Sequence, residues 1–277
     1  MKNLEISVEF FPPQTDNGLQ NLDKTCQNLQ NNLQPKPKYY SVTYGAGGST
    51  RDKTFAAVKM LKQQGLIVAP HLSCIGASQQ NINEILDHYK NLNIKKIVAL
   101  RGDLPSGMAE TGEFQYASDL VKFIRNKYGD YFDLIVAAYP EFHPQAKNVQ
   151  SDISAFVEKA KAGANAAITQ YFYNVDAYFN FVEEVQKKGV EIPIIPGIMP
   201  ISSYNKLARF SDACGAEIPR WIRKKFESFS DDTESVKKFG VEVVSKMCEK
   251  LLQNGVKELH FYSMNQADLV LQIAKNL

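Results

Sequence analysis

The sequence lacks the features that define several other protein classes. Its 277 residues include only four cysteines, Cys26, Cys74, Cys214 and Cys248, and none has CxxC spacing. This scatter excludes a disulfide framework or a cysteine zinc site and indicates reduced, packed thiols. No charged segment followed by a long apolar stretch opens the chain, and no apolar run approaches ~18 residues. We therefore expect a cytoplasmic protein with no membrane partner.

Charge of one sign is also scarce. The formal net charge is only +2, with acids and bases interspersed, so no field favours sequence-independent attraction to nucleic acid. The exception is a basic cluster at 220–225, which is interleaved with Trp221, Ile222 and Phe226. This pattern favours an amphipathic helix with a solvated basic face over an anion or nucleic-acid site. We expect no nucleic-acid partner.

Two kinds of catalytic motif are missing as well. The four histidines, His71, His88, His143 and His260, are never spaced as i, i+3 or i, i+4 pairs, so we expect no metal site. No serine lies in a GxSxG elbow, and no lysine closes a strand where a Schiff-base enzyme would need one.

What the sequence has is one alternation repeated along the chain. Apolar residues recur with the period of a strand and then with the spacing of a helix. Strands are predicted at 4–10, 39–44, 66–72, 94–100, 132–138, 165–170, 192–197 and 258–262. Helices are predicted at 19–33, 51–64, 78–91, 115–128, 148–162, 175–188, within 203–254 and at 264–275.

Eight short apolar strands alternating with helices predict an α/β protein, an eight-stranded (β/α)8 TIM barrel forming a single domain over 1–277. An open doubly wound sheet is the alternative architecture. It normally carries a glycine-rich fingerprint after its first strand, where this chain reads Phe10-Phe11-Pro12-Pro13. The glycines at 45, 47 and 48 do not have that spacing either.

The predicted strands end in polar residues, and in such barrels the active site lies at these C-terminal ends. The residues are Glu9, Thr43, Tyr44, His71, Arg101, Asp103, Tyr139, Gln170, His260 and Tyr262. Any one has a structural explanation: Arg101 and Asp103 could form an ion pair, and His71 could be a core histidine. Because buried charge is costly unless paired or functional, their convergence favours a ligand cavity.

Glu9 is the candidate general acid. Phe10, Phe11, Pro12 and Pro13 would surround it with apolar surface, which raises the pKa of a carboxyl and suits it to proton donation. The alternative is an exposed glutamate at the start of a loop.

The motifs at these strand ends resemble the methylenetetrahydrofolate reductase family over essentially the whole barrel. They are VEFFPP at 8–13, SVTYGA at 41–46, APHLSC at 69–74, ALRGDLP at 99–105, AAYPE at 137–141, ITQYF at 168–172, IPGIMP at 195–200 and HFY at 260–262. The resemblance implies noncovalent FAD and a ping-pong reaction. The nicotinamide, NADH or NADPH, would leave before methylenetetrahydrofolate enters, and the 5-methyl product would supply methionine synthesis.

Residue roles follow from the same resemblance. It implies Glu9 as the acid that protonates folate N10, Asp103 as a carboxylate beside the pterin and flavin, Gln170 as a pterin contact and Thr43 as a nicotinamide contact. The FAD contacts it implies are Tyr44, Ala46, His71, Arg101, Gly102, Asp103, Ala117, Tyr139, His143, Ala146, Asp152 and Lys159. For Lys159, on an amphipathic helix, a solvated face is the alternative.

Two positions depart from the family pattern. Gln266 follows Asn265 where an arginine often stands, which removes a cation for the folate glutamate tail, and Lys206 stands where a glutamine can occur. Both are candidate substrate contacts. By analogy with the family we expect a homo-oligomer, no C-terminal regulatory domain and no feedback by S-adenosylmethionine.

Two other functions stay open at this point. A flavin-free pterin-binding methyltransferase could use the same barrel, and the absence of a yellow cofactor would favour it. A non-catalytic flavin or folate binder could keep His71, Arg101 and Tyr139 but would not need an acid at Glu9.

Overall fold

Nine parallel strands form a ring in the computed structural model, which describes residues 4–45, 50–103, 112–230 and 232–277. The strands are β1 (Glu5–Phe10), β2 (Tyr39–Val42), β3 (Val68–Ser73), β4 (Lys96–Leu100), β5 (Asp133–Ala138), β6 (Ala166–Thr169), β7 (Ile194–Ile195), β8 (Gly197–Ile198) and β9 (Glu258–Tyr262). Each strand from β1 to β6 pairs with the next, and β9 closes the ring against β1. The predicted barrel is confirmed.

The count of nine arises because the seventh barrel strand is split at Pro196. Its first half, β7, pairs with β6, and its second half, β8, pairs with β9. Proline cannot donate a ladder hydrogen bond, but its carbonyl still accepts from the backbone N–H of His260 at 3.1 Å. β7 and β8 together therefore occupy the one place predicted for strand seven.

Helices surround the strands and follow the predicted order. They are α1 (Asp16–Asn32), α2 (Arg51–Gln63), α3 (Gln79–Asn91), α4 (Ala117–Tyr128), α5 (Val149–Lys161), α6 (Val175–Gln186), α7 (Tyr204–Cys214), α8 (Arg220–Glu227), α9 (Thr233–Gln253) and α10 (Asp268–Lys275). In the described part of the chain, no helix is both long and apolar enough to cross a membrane.

The helical region predicted at 203–254 consists of three helices. α7 ends at Gly215, whose left-handed φ of 76° favours glycine, and Pro219 precedes α8. α9 then begins after Asp232, whose carboxylate accepts from the N–H groups of Glu234 and Ser235. α8 has the predicted amphipathic form, with Ile222 and Phe226 buried, although Trp221 is exposed.

Alternation along the strands divides side chains between two compartments. On β1, Ile6, Val8 and Phe10 belong to the main apolar core between the strands and the helices. A smaller apolar cluster fills the barrel interior and comprises Tyr39, Ala69, Val98, Ile135, Ile168 and Ile195. Because each fully buried aliphatic side chain contributes roughly 1.5–3 kcal/mol, these layers hold the strand ends in place.

Candidate active site

Three side chains meet inside the barrel at the C-terminal end of β1. The Oε2 atom of Glu9 lies 3.3 Å from Nε2 of His71, on β3, and 3.6 Å from Nε2 of His260, on β9. We call Glu9, His71 and His260 the glutamate–histidine cluster. Glu9 is only 6% exposed and His260 is fully buried. A carboxylate so placed is shielded from bulk water and attracted to both imidazoles.

This arrangement corrects the predicted acidity of Glu9. Burial does act to raise its pKa, as expected, but close contacts with His260 and His71 and their charge outweigh it and lower the pKa to about 2. The prediction was wrong because it considered only the apolar neighbours in sequence. The histidines come from strands far along the chain. In this form of the protein Glu9 is a carboxylate, so a proton must reach it before it can act as an acid.

His260 is held from its other side. Its Nδ1 atom lies 2.8 Å from the hydroxyl of Ser7, and its ring stacks against Tyr39 with centroids 6.1 Å apart. When Ser7 donates to Nδ1, the hydrogen of the neutral imidazole is on Nε2, which faces Glu9. Ser7 is two residues before Glu9 on β1, so both project into the barrel.

A second group lies at the end of β5 and along α5. The rings of Tyr139 and His143 are in edge contact at 4.6 Å, and the backbone N–H of His143 donates to Asp152 at 3.0 Å. Burial raises the pKa of Tyr139 to about 12 and, together with the charge of Arg101, lowers that of His143. Four residues assigned by resemblance to FAD therefore lie together when Lys159 is included.

Lys159 turns its ammonium inward although the residue keeps some exposure. Its Nζ atom donates to the carbonyl of Ala137 on β5 at 2.5 Å and lies 6.0 Å from the ring centroid of Tyr139. Burial lowers its pKa to about 8, an effect that Asp152 opposes and Arg101 reinforces. This placement contradicts the solvated-face alternative, because the helix side that carries Lys159 packs against the barrel.

Arg101 and Gly102 end β4 in a tight arrangement. The Nη2 atom of Arg101 donates to the side-chain oxygen of Gln145 at 2.5 Å, and Nε donates to the carbonyl of Gly102 at 3.1 Å. Gly102 has a φ of 80°, and a Cβ there would lie 2.8 Å from Cβ of Ser73. Only glycine fits this position without strain.

Asp103 follows as an exposed residue. Its charge adds to the effect of burial in raising the pKa of Tyr139 and partly opposes the lowering of the pKa of His143, which places it on the side of the second group. Among the ion pairs of the described residues, Arg101 and Asp103 are not joined, and Arg101 uses Gln145 instead.

The remaining predicted contacts are distributed around the same end of the barrel. Thr43 donates its N–H to Phe10 at the end of β1, and Gln170 donates its N–H to Ala138 at the end of β5. Tyr44 is half-buried, and burial raises its pKa. Ala117 begins α4, and Ala146 donates its N–H to the carbonyl of His143. Ala46 lies outside the described residues.

Lys206 and Gln266 are apart from these groups. Lys206 is exposed in the first turn of α7, and Gln266 is exposed between β9 and α10. Gln266 borders a shallow surface cavity of about 290 Å³ together with Lys237 and Lys238. Neither residue bonds to the glutamate–histidine cluster within the described ranges.

Sequence reasoning missed three residues that shape the site. Ser7 and Tyr39 support His260, and Gln145 holds Arg101. Alternation from Glu9 could have identified Ser7 as an interior side chain. No sequence signal marks Gln145 as the partner of Arg101, since the two meet only when the loops after β4 and β5 converge.

In the described ranges, histidine, cysteine, aspartate and glutamate form no group of three or more that could hold a metal ion. The cysteines are free thiols, with Cys26, Cys74 and Cys248 buried and Cys214 half-buried.

The chain is similar in sequence to known proteins. The chain is 41% identical over 275 residues to 5,10-methylenetetrahydrofolate reductase of Escherichia coli, covering 99% of this chain and 90% of the relative. It is 36% identical to methylenetetrahydrofolate reductase (NADH) 1 of Arabidopsis thaliana, covering 98% of this chain and 48% of that protein.

A solved structure from Clostridium thermocellum, described as an uncharacterised protein that binds two copies of 5-methyl-5,6,7,8-tetrahydrofolic acid, has the same fold. Its TM-score is 0.67 at 17% identity, with coverage of 99% of this chain and 94% of that one. The family description "Methylenetetrahydrofolate reductase" matches residues 1–277. The chain therefore belongs to the methylenetetrahydrofolate reductase family.

Proposed function

We propose that this protein reduces 5,10-methylenetetrahydrofolate to 5-methyltetrahydrofolate with a reduced nicotinamide, through FAD and a ping-pong sequence. The observation that supports it most is the convergence at one barrel end of Glu9 and of the residues assigned by resemblance to FAD. A protein that only binds flavin or folate has no need of a glutamate closed off between two histidines.

The residues at the ends of β4 and β5 fit FAD. Arg101, His143 and Lys159 offer cationic or N–H groups suited to a diphosphate and an electron-rich ring. Gly102 lets the backbone turn closely past Ser73, where a side chain would intrude. FAD, when bound, supplies an acceptor for the nicotinamide hydride and a donor to the folate.

In folate reduction, the protein's own side chains supply and position a proton. The imidazolidine ring of the substrate opens only when N10 takes a proton, which leaves a cationic iminium at N5. We assign the proton to Glu9, delivered from the imidazole side of the glutamate–histidine cluster or from water. Asp103, with its negative charge beside Tyr139 and His143, would favour the iminium electrostatically.

Orientation of the two substrates is assigned to polar groups at neighbouring strand ends. Gln170 would bind the pterin, and its side-chain oxygen already accepts from the N–H of Tyr171 at 3.0 Å, which restricts its rotation. Thr43 would contact the nicotinamide. Lys206 and Gln266, exposed at the rim, would meet the folate tail.

For the hydride donor we propose NADH, as the name of the Arabidopsis relative specifies for that protein. A single catalytic domain, a cytoplasmic location, a homo-oligomeric assembly and supply of methyl groups for methionine synthesis stay predictions.

An anaerobic absorbance titration tests the proposal. NADH should bleach the flavin band of the purified protein, and methylenetetrahydrofolate should restore it. Bleaching without restoration would point to another reductase on this barrel. If no flavin binds even after reconstitution, the flavin-free pterin-binding methyltransferase becomes the better explanation.

A further inference from the structure

The barrel interior has one polar side and one apolar side. Most inward residues of β9, β1, β2 and β3 are polar, with Ala69 on β3 an exception, whereas β4 to β7 contribute Val98, Ile135, Ile168 and Ile195. We call the polar set the polar wall; it consists of Glu258, His260, Ser7, Glu9, Tyr39, Ser41 and His71. Strand pairing places its members side by side, with Ser7 opposite both Tyr39 and His260 and Glu9 opposite Ser41.

The polar wall also contains most of the buried polar atoms that lack a direct hydrogen-bond partner in the described residues. Five of the seven such side-chain atoms belong to it: Tyr39 Oη, Ser41 Oγ and Glu258 Oε1, together with Nε2 of His71 and Nε2 of His260, which have only the ionic contact with Glu9 described above. A buried unpaired polar group costs about 1–3 kcal/mol, and proteins normally satisfy such groups with internal water. Their concentration in one compartment favours a continuous row of internal water molecules along the polar wall, which we call the hydrated file, over separate unsatisfied groups.

The lower end of this file reaches the surface. At the N-terminal ends of the strands lies a cavity of about 560 Å³, bordered by Glu5, Lys38, Ile195 and Glu258. The side chain of Glu258 is 15% exposed there, and Lys38 bridges it to Glu5 with Nζ–Oε2 distances of 3.4 and 2.5 Å. Glu258 thus has one carboxylate oxygen at the cavity and the other buried without a partner.

Tyr39 connects the two ends. It lies beside His260 and, across the strand pair, beside Ser7. The negative charges of Glu258 and Glu9 both raise the pKa of its hydroxyl, in addition to the larger effect of burial and against the effect of Ser7. The hydroxyl of Tyr39 is therefore close enough to interact electrostatically with Glu258 at the lower end and with Glu9 at the active site.

We propose that the polar wall, together with internal water, conducts protons through the barrel from Glu258 at the N-terminal cavity to Glu9 at the active site. The inference rests on the proposed function, in which Glu9 gives up one proton in each turnover. Glu9 is only 6% exposed before any ligand binds, and a folate bound over it would reduce that exposure further. Entry from below keeps the acid supplied while substrate is bound.

The proton balance is simple. Protonation of the substrate breaks the O–H bond of Glu9, forms an N–H bond at N10 and leaves a carboxylate. That carboxylate takes a proton from the adjoining water or imidazole of the file. Successive transfers past Tyr39 leave the deficit at Glu258, which bulk water in the cavity refills. One proton from solvent is consumed for each folate reduced, as the overall reaction requires.

Tyr39→Phe is the sharpest test because it removes one hydroxyl and keeps the ring. The matched control is Tyr89→Phe, which removes another buried unpartnered hydroxyl, but on α3 outside the barrel interior. We expect Tyr39→Phe and Glu258→Gln to slow folate-dependent turnover at least about tenfold, a part of the ~10²–10⁴ that positioned proton transfer supplies. The solvent isotope effect should increase, with flavin reduction by NADH unchanged. Tyr89→Phe should match the wild type in all three.

Two outcomes would overturn the proposal. One is that the wild type, Tyr39→Phe and Glu258→Gln all reduce the folate at the same rate and with the same solvent isotope effect. The other is a high-resolution crystal structure without ordered water between Tyr39 and His260, independent of activity. If the wild type itself fails to reduce the folate, the proposed function has failed instead, and the two failures are distinguished.

Discussion

The Oε2 atom of Glu9 lies 3.3 Å from the Nε2 atom of His71, although the two residues come from different strands of the barrel. With His260 at 3.6 Å on β9, which pairs directly with β1, this contact stabilises a carboxylate that burial alone would disfavour. The proposed acid is therefore ionised in the unliganded protein, and the enzyme must protonate it during the reaction.

Replacing His260 should reverse this effect. His260→Gln removes one imidazole from the cluster, so we expect the pKa of Glu9 to rise from about 2 toward or above its ordinary value. The carboxylate stretching band of isotopically labelled Glu9, followed by infrared difference spectroscopy against pH, measures this. His88→Gln, at an exposed histidine on α3, is the control and should leave the band unmoved.

The same group makes a prediction for acid stability. The folded pKa of Glu9 is below its unfolded value of about 4.5, so the contribution is complete above pH 4.5 and is lost as pH falls toward 2. Urea midpoints should therefore decline less steeply with acid in Glu9→Gln than in the wild type over this interval. Equal slopes would contradict the assignment.

The buried charge of Lys159 should lower the stability of the protein while it supports the binding of FAD. Its folded pKa, about 8, is below the ordinary value of 10.5, so holding the charge at pH 7 costs stability that returns between pH 8 and 10.5. We expect Lys159→Met to raise the unfolding free energy of the flavin-free protein at pH 7 by on the order of 2 kcal/mol. The gain should shrink above pH 8, and FAD affinity should fall. Lys161→Met, on the same helix, is the control; a gain independent of pH would contradict the account.

Gly102→Ala should impair both folding and flavin retention. The φ of 80° disfavours alanine, and the new Cβ would meet Ser73 at 2.8 Å. Gly189→Ala tests the strain alone, since its φ is 81° with nothing within 4 Å. We expect a loss of roughly 1 kcal/mol at Gly189 and about 2–3 kcal/mol at Gly102, measured by chemical unfolding. Equal losses would show that the contact with Ser73 is unimportant.

Glu141 should make stability fall as pH rises. Burial raises its pKa to about 7, against the hydrogen bond from the N–H of Glu217 and with help from the Glu217 charge. The folded state therefore binds more protons than the unfolded state between pH 4.5 and 7, and stability declines across that window. In Glu141→Gln the urea midpoint should depend less on pH across this range. The loss of unfolding free energy that the variant avoids should be roughly 1–2 kcal/mol at the upper end of the range. An unchanged slope would contradict the shift.

Much of the fold could be predicted because the signals are local. Apolar residues recur at every second position in the strands and at every third or fourth position in the helices, and polar residues stand at the strand ends. The split at Pro196 and the division of 203–254 into α7, α8 and α9 depend on how β6, β9 and the loops dock, which periodicity does not encode.

The sequence predicted which polar side chains stand at the strand ends, but not the electrostatics of Glu9. The neighbours of Glu9 in sequence, Phe10 and Phe11, suggested an apolar setting, whereas its neighbours in space are His71 and His260. Pairing in the order β3, β2, β1 and β9 brings them together, and only the closed ring fixes that pairing. The polar wall could not be predicted either, because its residues come from four strands that only the closed ring brings side by side.

The most direct test of the proposed function separates the two half-reactions of Glu9→Gln by rapid mixing under anaerobic conditions. We predict that NADH reduces the flavin at the wild-type rate, while reoxidation by methylenetetrahydrofolate slows by roughly 10²–10⁴-fold because only this half-reaction needs the acid. Glu84→Gln, an exposed change on α3, should leave both rates unaltered. Reoxidation of Glu9→Gln at the wild-type rate would remove Glu9 from its role and contradict the account.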